Sequence, residues 1–131
     1  MNRMTIISFQ SNVVKRFFFM LSEKLRCAVA SHMDFPKAGI LFRDITPVLS
    51  DPKLVEDLID GMANFHESKL SEAIVAIDAR GFIFGSMLAQ KLKKPLILAR
   101  KKNKLPGDLI QNDYQLEYGK DSLAIKKESI L

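Results

Sequence analysis

The 131-residue sequence contains no tryptophan, two tyrosines, two histidines and a single cysteine, Cys27. One cysteine cannot form a disulfide within the chain, so a disulfide-stapled fold is excluded. The few histidine and cysteine side chains also argue against a structural zinc site, which is built from nitrogen and sulfur ligands. The shortage of tryptophan and tyrosine leaves little from which to build an aromatic platform for nucleic acid.

Long hydrophobic runs are missing as well. A run of apolar residues at 17–21 stops at Ser22, whereas a signal peptide needs about 7–15 apolar residues and a membrane span about 20. We therefore expect no targeting signal and no membrane partner. A lone cysteine fits a reducing compartment, so we expect the protein in the cytoplasm.

The whole chain has 20 basic and 15 acidic residues and a net charge of +5, but the excess of positive charge is concentrated in one segment. Seven of the basic residues, and no acidic residue, lie between Lys91 and Lys104. A local basic patch of this kind indicates an anionic partner, although a solvated lysine loop would have the same composition.

The spacing of apolar residues predicts one helix over residues 13–31 and another from Pro52 to about Ser68, capped by Asp51. Residues 1–12 have no steady apolar period, so we expect them to be loosely ordered. Residues 40–43 form an apolar run too short for a helix and are expected to be extended.

Two short apolar runs flank a third predicted helix. Residues 73–77 contain no polar side chain, which is typical of a strand buried on both faces of a parallel sheet. A helix over residues 82–92 and a strand over residues 95–99 follow, and this order predicts a right-handed crossover. Residues 114–118 and 122–126 are predicted edge strands. The predicted fold class is therefore α/β.

The turn at residues 78–81 joins the first of these strands to the helix. Ligands of open α/β sheets bind at this edge, where a helix N-terminus offers free N–H groups. Gly81 permits close approach of a ligand, and Arg80 can grip phosphate oxygens. Asp78 could orient Arg80 or reach a hydrated metal ion. A plain strand-to-helix connection has the same spacing, so the sequence leaves both interpretations open.

The segment from Arg100 to Gly107 follows the second strand and is expected to rise from the same sheet edge. Its length and charge suit a lid that closes over a polyphosphate. The alternative is a solvated lysine loop.

Two further positions could contact a flat heterocycle. Phe42 could stack on such a ring while the Leu41 backbone reads its edge, although phenylalanine is most often a core residue. Glu117 could exchange a proton with a ring nitrogen, but surface glutamates are common.

Four of these segments, in this order, resemble motifs of the adenine phosphoribosyltransferases. Residues 35–49, FPKAGILFRDITPVL, are similar to the N-terminal signature of that family. Residues 79–85 resemble its diphosphate-binding turn, and residues 100–107 resemble its flexible catalytic loop. Residues 114–119 are similar to the strand that follows the loop.

The resemblance implies a domain organisation, a fold and a reaction. Residues 1–20 would be a loosely ordered extension, and residues 21–131 the N-terminal portion of a single phosphoribosyltransferase domain. The fold would be a partial, Rossmann-like parallel sheet flanked by helices, with an N-terminal hood region. The family comprises pentosyl glycosyltransferases of purine salvage, usually cytoplasmic homodimers. They form AMP and diphosphate from adenine and 5-phospho-α-D-ribose 1-diphosphate (phosphoribosyl diphosphate), with Mg²⁺ bound to the substrate.

On the adenine side, the resemblance implies that Phe42 stacks on the base, that the Leu41 backbone reads its edge and that Arg43 lies beside it. Glu117 would be the acid or base at the adenine ring.

On the diphosphate side, the resemblance implies a catalytic role for Arg80 and a cis peptide between Asp78 and Ala79. The diphosphate-binding residues would be Asp78, Ala79, Arg80 and Gly81. The flexible loop would include Arg100, Lys101 and Lys104, with Tyr118 lining it. No protein residue is implied as a metal ligand.

These roles suit the chemistry that the resemblance implies. Displacement of diphosphate from a sugar carbon passes through a cation-like transition state, so it needs no protein nucleophile. It needs neutralised charge on the leaving group, exclusion of water and an aligned base. Arg80, the helix N-terminus, the lysine loop and Mg²⁺ would neutralise that charge.

The sequence departs from the family pattern at its end. Family members continue with a strand ending in two acidic residues and a Thr-Gly-Gly-Thr-like loop that cradles the ribose 5-phosphate, and neither occurs up to Leu131. The resemblance therefore implies a C-terminally truncated member with impaired binding of phosphoribosyl diphosphate and an exposed, aggregation-prone sheet edge. One alternative is an inactive remnant that only binds or dimerises. The less favoured alternative is a basic nucleic-acid-binding module, whose affinity would fall steeply with salt.

Overall fold

The computed structural model describes residues 3–116 and 119–130. The chain divides into two units, Met1–Gly61 and Met62–Leu131, which are described separately. No helix among the described residues is both long and apolar enough to cross a membrane.

The first unit combines helices with a two-stranded sheet. Its elements are α1 (Arg3–Ala28), β1 (Ala30–Met33), β2 (Leu41–Asp44), α2 (Thr46–Leu49) and α3 (Pro52–Ala63), the last of which ends just past the unit boundary. Leu21 of α1, Val48 of α2 and Leu54 of α3 form its buried core. β1 and β2 pair antiparallel, with Met33 opposite Leu41.

α1 differs from its prediction at both ends. It begins at Arg3, so the structure has helix over residues 3–12, where irregular apolar spacing predicts loose order. That stretch has no proline or glycine, and irregular apolar spacing does not by itself break a helix. α1 ends at Ala28 rather than residue 31, because the residues from Ala30 onward pair with β2 as strand β1.

The second predicted helix is correct at its start and wrong at its end. The Leu54 N–H donates to Oδ1 of Asp51 at 3.0 Å, which confirms the predicted cap. α3 nevertheless ends at Ala63, and residues His66–Leu70 form a separate helix, α4. Phe65 between them has extended backbone dihedral angles (φ −61°, ψ 141°), so the apolar period that predicts one long helix does not continue through it.

The second unit is a four-stranded sheet with helices. After α4 its elements are β3 (Ile74–Ile77), α5 (Gly81–Leu92), β4 (Leu96–Lys101), β5 (Leu109–Leu116), β6 (Gly119–Lys126) and a short 3₁₀ helix (Lys127–Ser129). β3 pairs parallel to β4, as the predicted crossover requires. The strand order is β3-β4-β6-β5, with β6 antiparallel to both of its neighbours. β6 is therefore an inner strand, not the predicted edge strand.

Close packing joins α5 to one face of β3. A Cβ atom on Gly85 would lie 2.5 Å from Cβ of Ala76, so only glycine permits this approach. Ala76 is buried beneath the helix, whereas Val75 and Ile77 on the other face are 55% and 53% exposed. β3 is therefore covered on one face within the described chain, and the prediction that both its faces are buried is wrong for these residues.

Candidate active site

The turn at residues 78–81 lies where the sequence places it, between the end of β3 and the start of α5. The peptide bond between Asp78 and Ala79 is cis, as predicted. The Asp78 N–H donates to the carbonyl of Ala99 at 2.9 Å, which fixes the beginning of the turn against β4. Arg80 is the N-cap residue of α5, and its side chain is exposed.

The start of α5 has backbone donors that remain available to a ligand. The N–H groups of Phe82 and Ile83 donate back to the carbonyls of Ala79 and Arg80, at 3.1 and 3.3 Å. Within residues 3–116 and 119–130, no acceptor pairs with the N–H groups of Ala79, Arg80 and Gly81. Free N–H groups at a helix N-terminus, next to an exposed guanidinium, can bind an anion.

The carboxylate of Asp78 pairs with Arg100 rather than with Arg80. Its Oδ2 lies 3.3 Å from Nε of Arg100, and the two side chains are 13% and 33% exposed. The sequence suggests Arg80 or a hydrated metal ion as the partner of Asp78. The structure instead uses this carboxylate to orient the first basic residue of the predicted flexible loop.

Two other contacts hold Arg100. Its guanidinium carbon lies 5.8 Å from the centre of the Phe82 ring on α5, within the range of a cation–π contact. Its Nη1 donates to the carbonyl of Lys104 at 3.3 Å. Arg100 therefore connects the turn, the helix and the lysine-rich loop, so the structure brings these two predicted elements together.

The predicted loop is shorter than expected, because Arg100 and Lys101 still belong to β4. The ammonium group of Lys101 lies 3.6 Å from the carboxylate of Asp121 on β6. The side chain of Lys104 is exposed. Of the two lysines predicted to contact an anion, one is therefore held by a carboxylate and one projects into solvent.

Asp121 and Tyr114 are neighbours of this site that sequence reasoning missed. They are opposite each other in the β5–β6 pair, and the Tyr114 hydroxyl donates to Oδ2 of Asp121 at 3.2 Å. A hydrogen bond from the Ser122 N–H, together with Tyr114 and Lys101, lowers the pKa of Asp121 despite partial desolvation. Burial, and then Asp121, raises the pKa of Tyr114. The sequence would predict this pair only if the position of the β5–β6 turn were known, because the turn sets which residues of the hairpin are opposite each other.

Three of the residues that the resemblance places beside adenine, Leu41, Phe42 and Arg43, lie on β2 in the first unit. The Phe42 side chain is half-buried and its ring centre lies 5.1 Å from that of Phe35. Nη1 of Arg43 donates to the Ser31 hydroxyl at 2.5 Å, and Leu41 is exposed. Phe42 is not part of the buried cluster of this unit.

Two predicted residues cannot be placed. Glu117 and Tyr118 lie outside the described residues. Among those that are described, no group of three or more histidine, cysteine, aspartate or glutamate side chains could hold a metal ion.

Comparisons of sequence and of structure point to the same group of known proteins. A scan against protein-family models finds no match. An adenine phosphoribosyltransferase of Prochlorococcus marinus (strain MIT 9215) is 55% identical over 111 residues, which cover 85% of this chain and 64% of that protein. A second, from another strain of Prochlorococcus marinus, is 53% identical over the same coverage.

Solved structures give the same result. The adenine phosphoribosyltransferase of Thermoanaerobacter pseudethanolicus is 42% identical, with a TM-score of 0.75 over 81% of this chain and 62% of its own. That of Saccharomyces cerevisiae, solved with adenine and an imino-altritol bisphosphate, is 34% identical, with a TM-score of 0.76 over 85% of this chain and 65% of its own. The expected partial phosphoribosyltransferase fold is thereby confirmed. The chain is related in sequence and in fold to the adenine phosphoribosyltransferases, and it spans 64% of the length of these curated relatives.

Proposed function

We propose that this chain contributes the base-binding and diphosphate-binding parts of an adenine salvage enzyme that forms AMP and diphosphate from adenine and phosphoribosyl diphosphate. The observation that carries the proposal is the group of N–H donors at residues 79–81, unpaired within the described chain, beside Arg80 and Arg100. Relatives more than half identical are named adenine phosphoribosyltransferases, which supports the same activity.

The diphosphate leaving group would bind at the start of α5. The N–H groups of Ala79, Arg80 and Gly81 and the guanidinium of Arg80 would neutralise the charge that develops on it. Asp78 would act through Arg100, which it orients, and Lys101 and Lys104 would add positive charge from the loop. No protein nucleophile is needed, because the sugar carbon becomes cation-like as the diphosphate leaves.

The adenine ring would bind at β2. Phe42 would stack on it, the Leu41 backbone would hydrogen-bond its edge and Arg43, held by Ser31, would lie beside it. The proposal keeps Glu117 as the group that exchanges a proton with a ring nitrogen, with Tyr118 lining the loop.

Mg²⁺ enters this proposal as part of the substrate. The carboxylate of the turn, Asp78, is already paired with Arg100, so it is not free to serve as the main ligand of a metal ion. Mg²⁺ would neutralise the phosphoribosyl diphosphate that carries it. A homodimer and a cytoplasmic location complete the proposal.

The test is a pair of measurements on the 131-residue chain. Isothermal titration with adenine, and with cytosine as a control, should show adenine-selective binding that Phe42→Ala abolishes. Incubation with labelled adenine, phosphoribosyl diphosphate and Mg²⁺ should give AMP, and Arg80→Ala should remove this activity. Equal affinity for adenine and cytosine, or affinity only for DNA that falls steeply with salt, would overturn the proposal.

A further inference from the structure

We infer that Phe35 is a positioning residue, which holds the Phe42 ring in the orientation that stacks on adenine. The inference rests on the proposed function of Phe42. The contact that suggests it is direct: the two ring centres are 5.1 Å apart and the ring planes meet at 70°, an edge-to-face pair.

An edge-to-face neighbour suits a stacking residue. A phenylalanine on an exposed strand can turn about its side-chain bonds, and a base stacks well only on a ring held in one orientation. Phe35 restrains the Phe42 ring from one side. The edge-to-face arrangement occupies at most one face of Phe42, so Phe35 does not cover the other face.

The loop between β1 and β2 fixes Phe35 in turn. The Gly39 N–H donates to Oδ1 of Asp34 at 2.7 Å, across the mouth of the loop. The Phe35 N–H donates to the Ile40 carbonyl at 3.2 Å, directly before β2 begins. The backbone of Phe35 is therefore tied to the residue that directly precedes the strand that carries Phe42.

Burial does not explain Phe35. Its side chain is 54% exposed, and it is not part of the buried cluster around Leu21, Val48 and Leu54. A half-exposed phenylalanine adds little to a core. Its ring contacts the ring of Phe42 on the neighbouring strand β2. Positioning of Phe42 therefore accounts for the residue better than core packing does.

The experiment compares four variants of the full 131-residue chain by titration with adenine, followed by NMR of the base protons. Phe35→Ala and Phe35→Leu remove the ring, and the second keeps apolar volume. Phe35→Tyr keeps the ring. Phe19→Ala, at a 66% exposed phenylalanine on α1, is the matched control.

We expect Phe35→Ala and Phe35→Leu to weaken adenine binding about 3- to 10-fold, the range of one lost aromatic pair. They should also reduce the upfield shift that stacking gives the adenine H8 proton. Phe35→Tyr and Phe19→Ala should bind like the wild type. If Phe35 served only core packing, Phe35→Leu would bind adenine like the wild type, because leucine keeps the apolar volume. Weaker binding by Phe35→Leu and normal binding by Phe35→Tyr therefore indicate positioning.

Two results would overturn the inference, and they are distinguishable. If the wild-type chain binds adenine and Phe35→Ala binds it equally well with the same H8 shift, Phe35 does not position Phe42 and the proposed function stands. If the wild-type chain binds no adenine, the proposed function fails and takes the inference with it.

Discussion

Asp78 and Arg100 form an ion pair across the ends of two parallel strands, with Oδ2 and Nε 3.3 Å apart. The parallel register places Ile77 beside Ala99. The residues that follow these two, Asp78 and Arg100, are therefore neighbours. This pair fastens the turn that begins α5 to the strand that leads into the lysine-rich loop. The two basic elements of the candidate site, the turn at residues 78–81 and the lysine-rich loop, are therefore linked by this ion pair.

The first prediction concerns this ion pair. In a double-mutant cycle of Asp78→Asn and Arg100→Met, we expect a coupling free energy of about 1 kcal/mol, since both side chains are largely shielded from solvent. Urea unfolding of the four proteins gives the value. The coupling should shrink as salt is raised.

A matched pair serves as the control. Lys126 and Glu128 form an ion pair at 3.0 Å with side chains that are 40% and 75% exposed. Their cycle should give a coupling near zero, because solvent screens exposed pairs. Equal coupling in both cycles would show that Asp78 and Arg100 do not form a shielded link.

The second prediction is steric. Gly85→Ala should destabilise the chain by about 1–3 kcal/mol, because the new Cβ would lie 2.5 Å from Cβ of Ala76. Alanine normally stabilises a helix relative to glycine, so a loss of stability identifies the clash. Adding Ala76→Gly should recover part of the loss in thermal unfolding. A Gly85→Ala chain as stable as the wild type would contradict the close packing of α5 on β3.

The third prediction concerns Lys94, a half-buried lysine that the sequence places only in the basic patch. Its Nζ donates to the carbonyls of Ser68 and Lys69, at 2.7 and 2.8 Å, and to the carbonyl of Ser71. It therefore caps the C-terminal end of α4. Lys94→Met should cost about 1–3 kcal/mol, since the carbonyls lose a charged donor.

Lys93→Met is the control for that variant, because Lys93 is adjacent and exposed. Its substitution should leave the unfolding midpoint unchanged. If both substitutions have the same small effect, Lys94 belongs to the basic patch and has no capping role.

The fourth prediction concerns pH. Because the folded chain lowers the pKa of Asp121 from its usual 3.8, the ionised carboxylate stabilises the folded state at pH values above 3.8. That contribution is lost as the pH falls through the lowered pKa. Asp121→Asn should therefore be less stable than the wild type at pH 7, and the difference should vanish in acid.

The Tyr114 hydroxyl gives an independent reading of the same contact. Asp121 contributes to the raised pKa of Tyr114, after burial. In Asp121→Asn the tyrosine should titrate at lower pH than in the wild type, while staying above its usual value of 10.0 because burial remains. NMR titration of the tyrosine ring carbons measures this. An unchanged titration would show that the Tyr114–Asp121 contact is absent in solution.

Much of the fold can be predicted from the sequence where local signals agree. The apolar run before Asp78, the glycine after it and the next apolar run predict β3, α5 and β4, and the structure confirms their parallel crossover. The Asp51 cap is confirmed for the same reason, since it depends only on neighbouring residues.

Other features depend on pairing across the chain. β1 is a strand because it pairs with β2, and no local sequence signal points to that partner. The link between Asp78 and Arg100 depends on the register of two strands, and the contact of Lys101 with Asp121 depends on which strand lies beside β4. The sequence motifs point to the candidate residues but not to the partners of their side chains.

The most direct test of the account is a titration of the ¹⁵N-labelled chain with diphosphate and Mg²⁺. We predict that the largest amide shifts occur at Ala79, Arg80 and Gly81, whose N–H groups are unpaired in the described structure. Arg80→Ala should weaken the affinity about 10-fold or more, as expected for loss of a charged, two-pronged contact. Shifts spread evenly over the lysines of the basic patch, with no dependence on Arg80, would contradict the account.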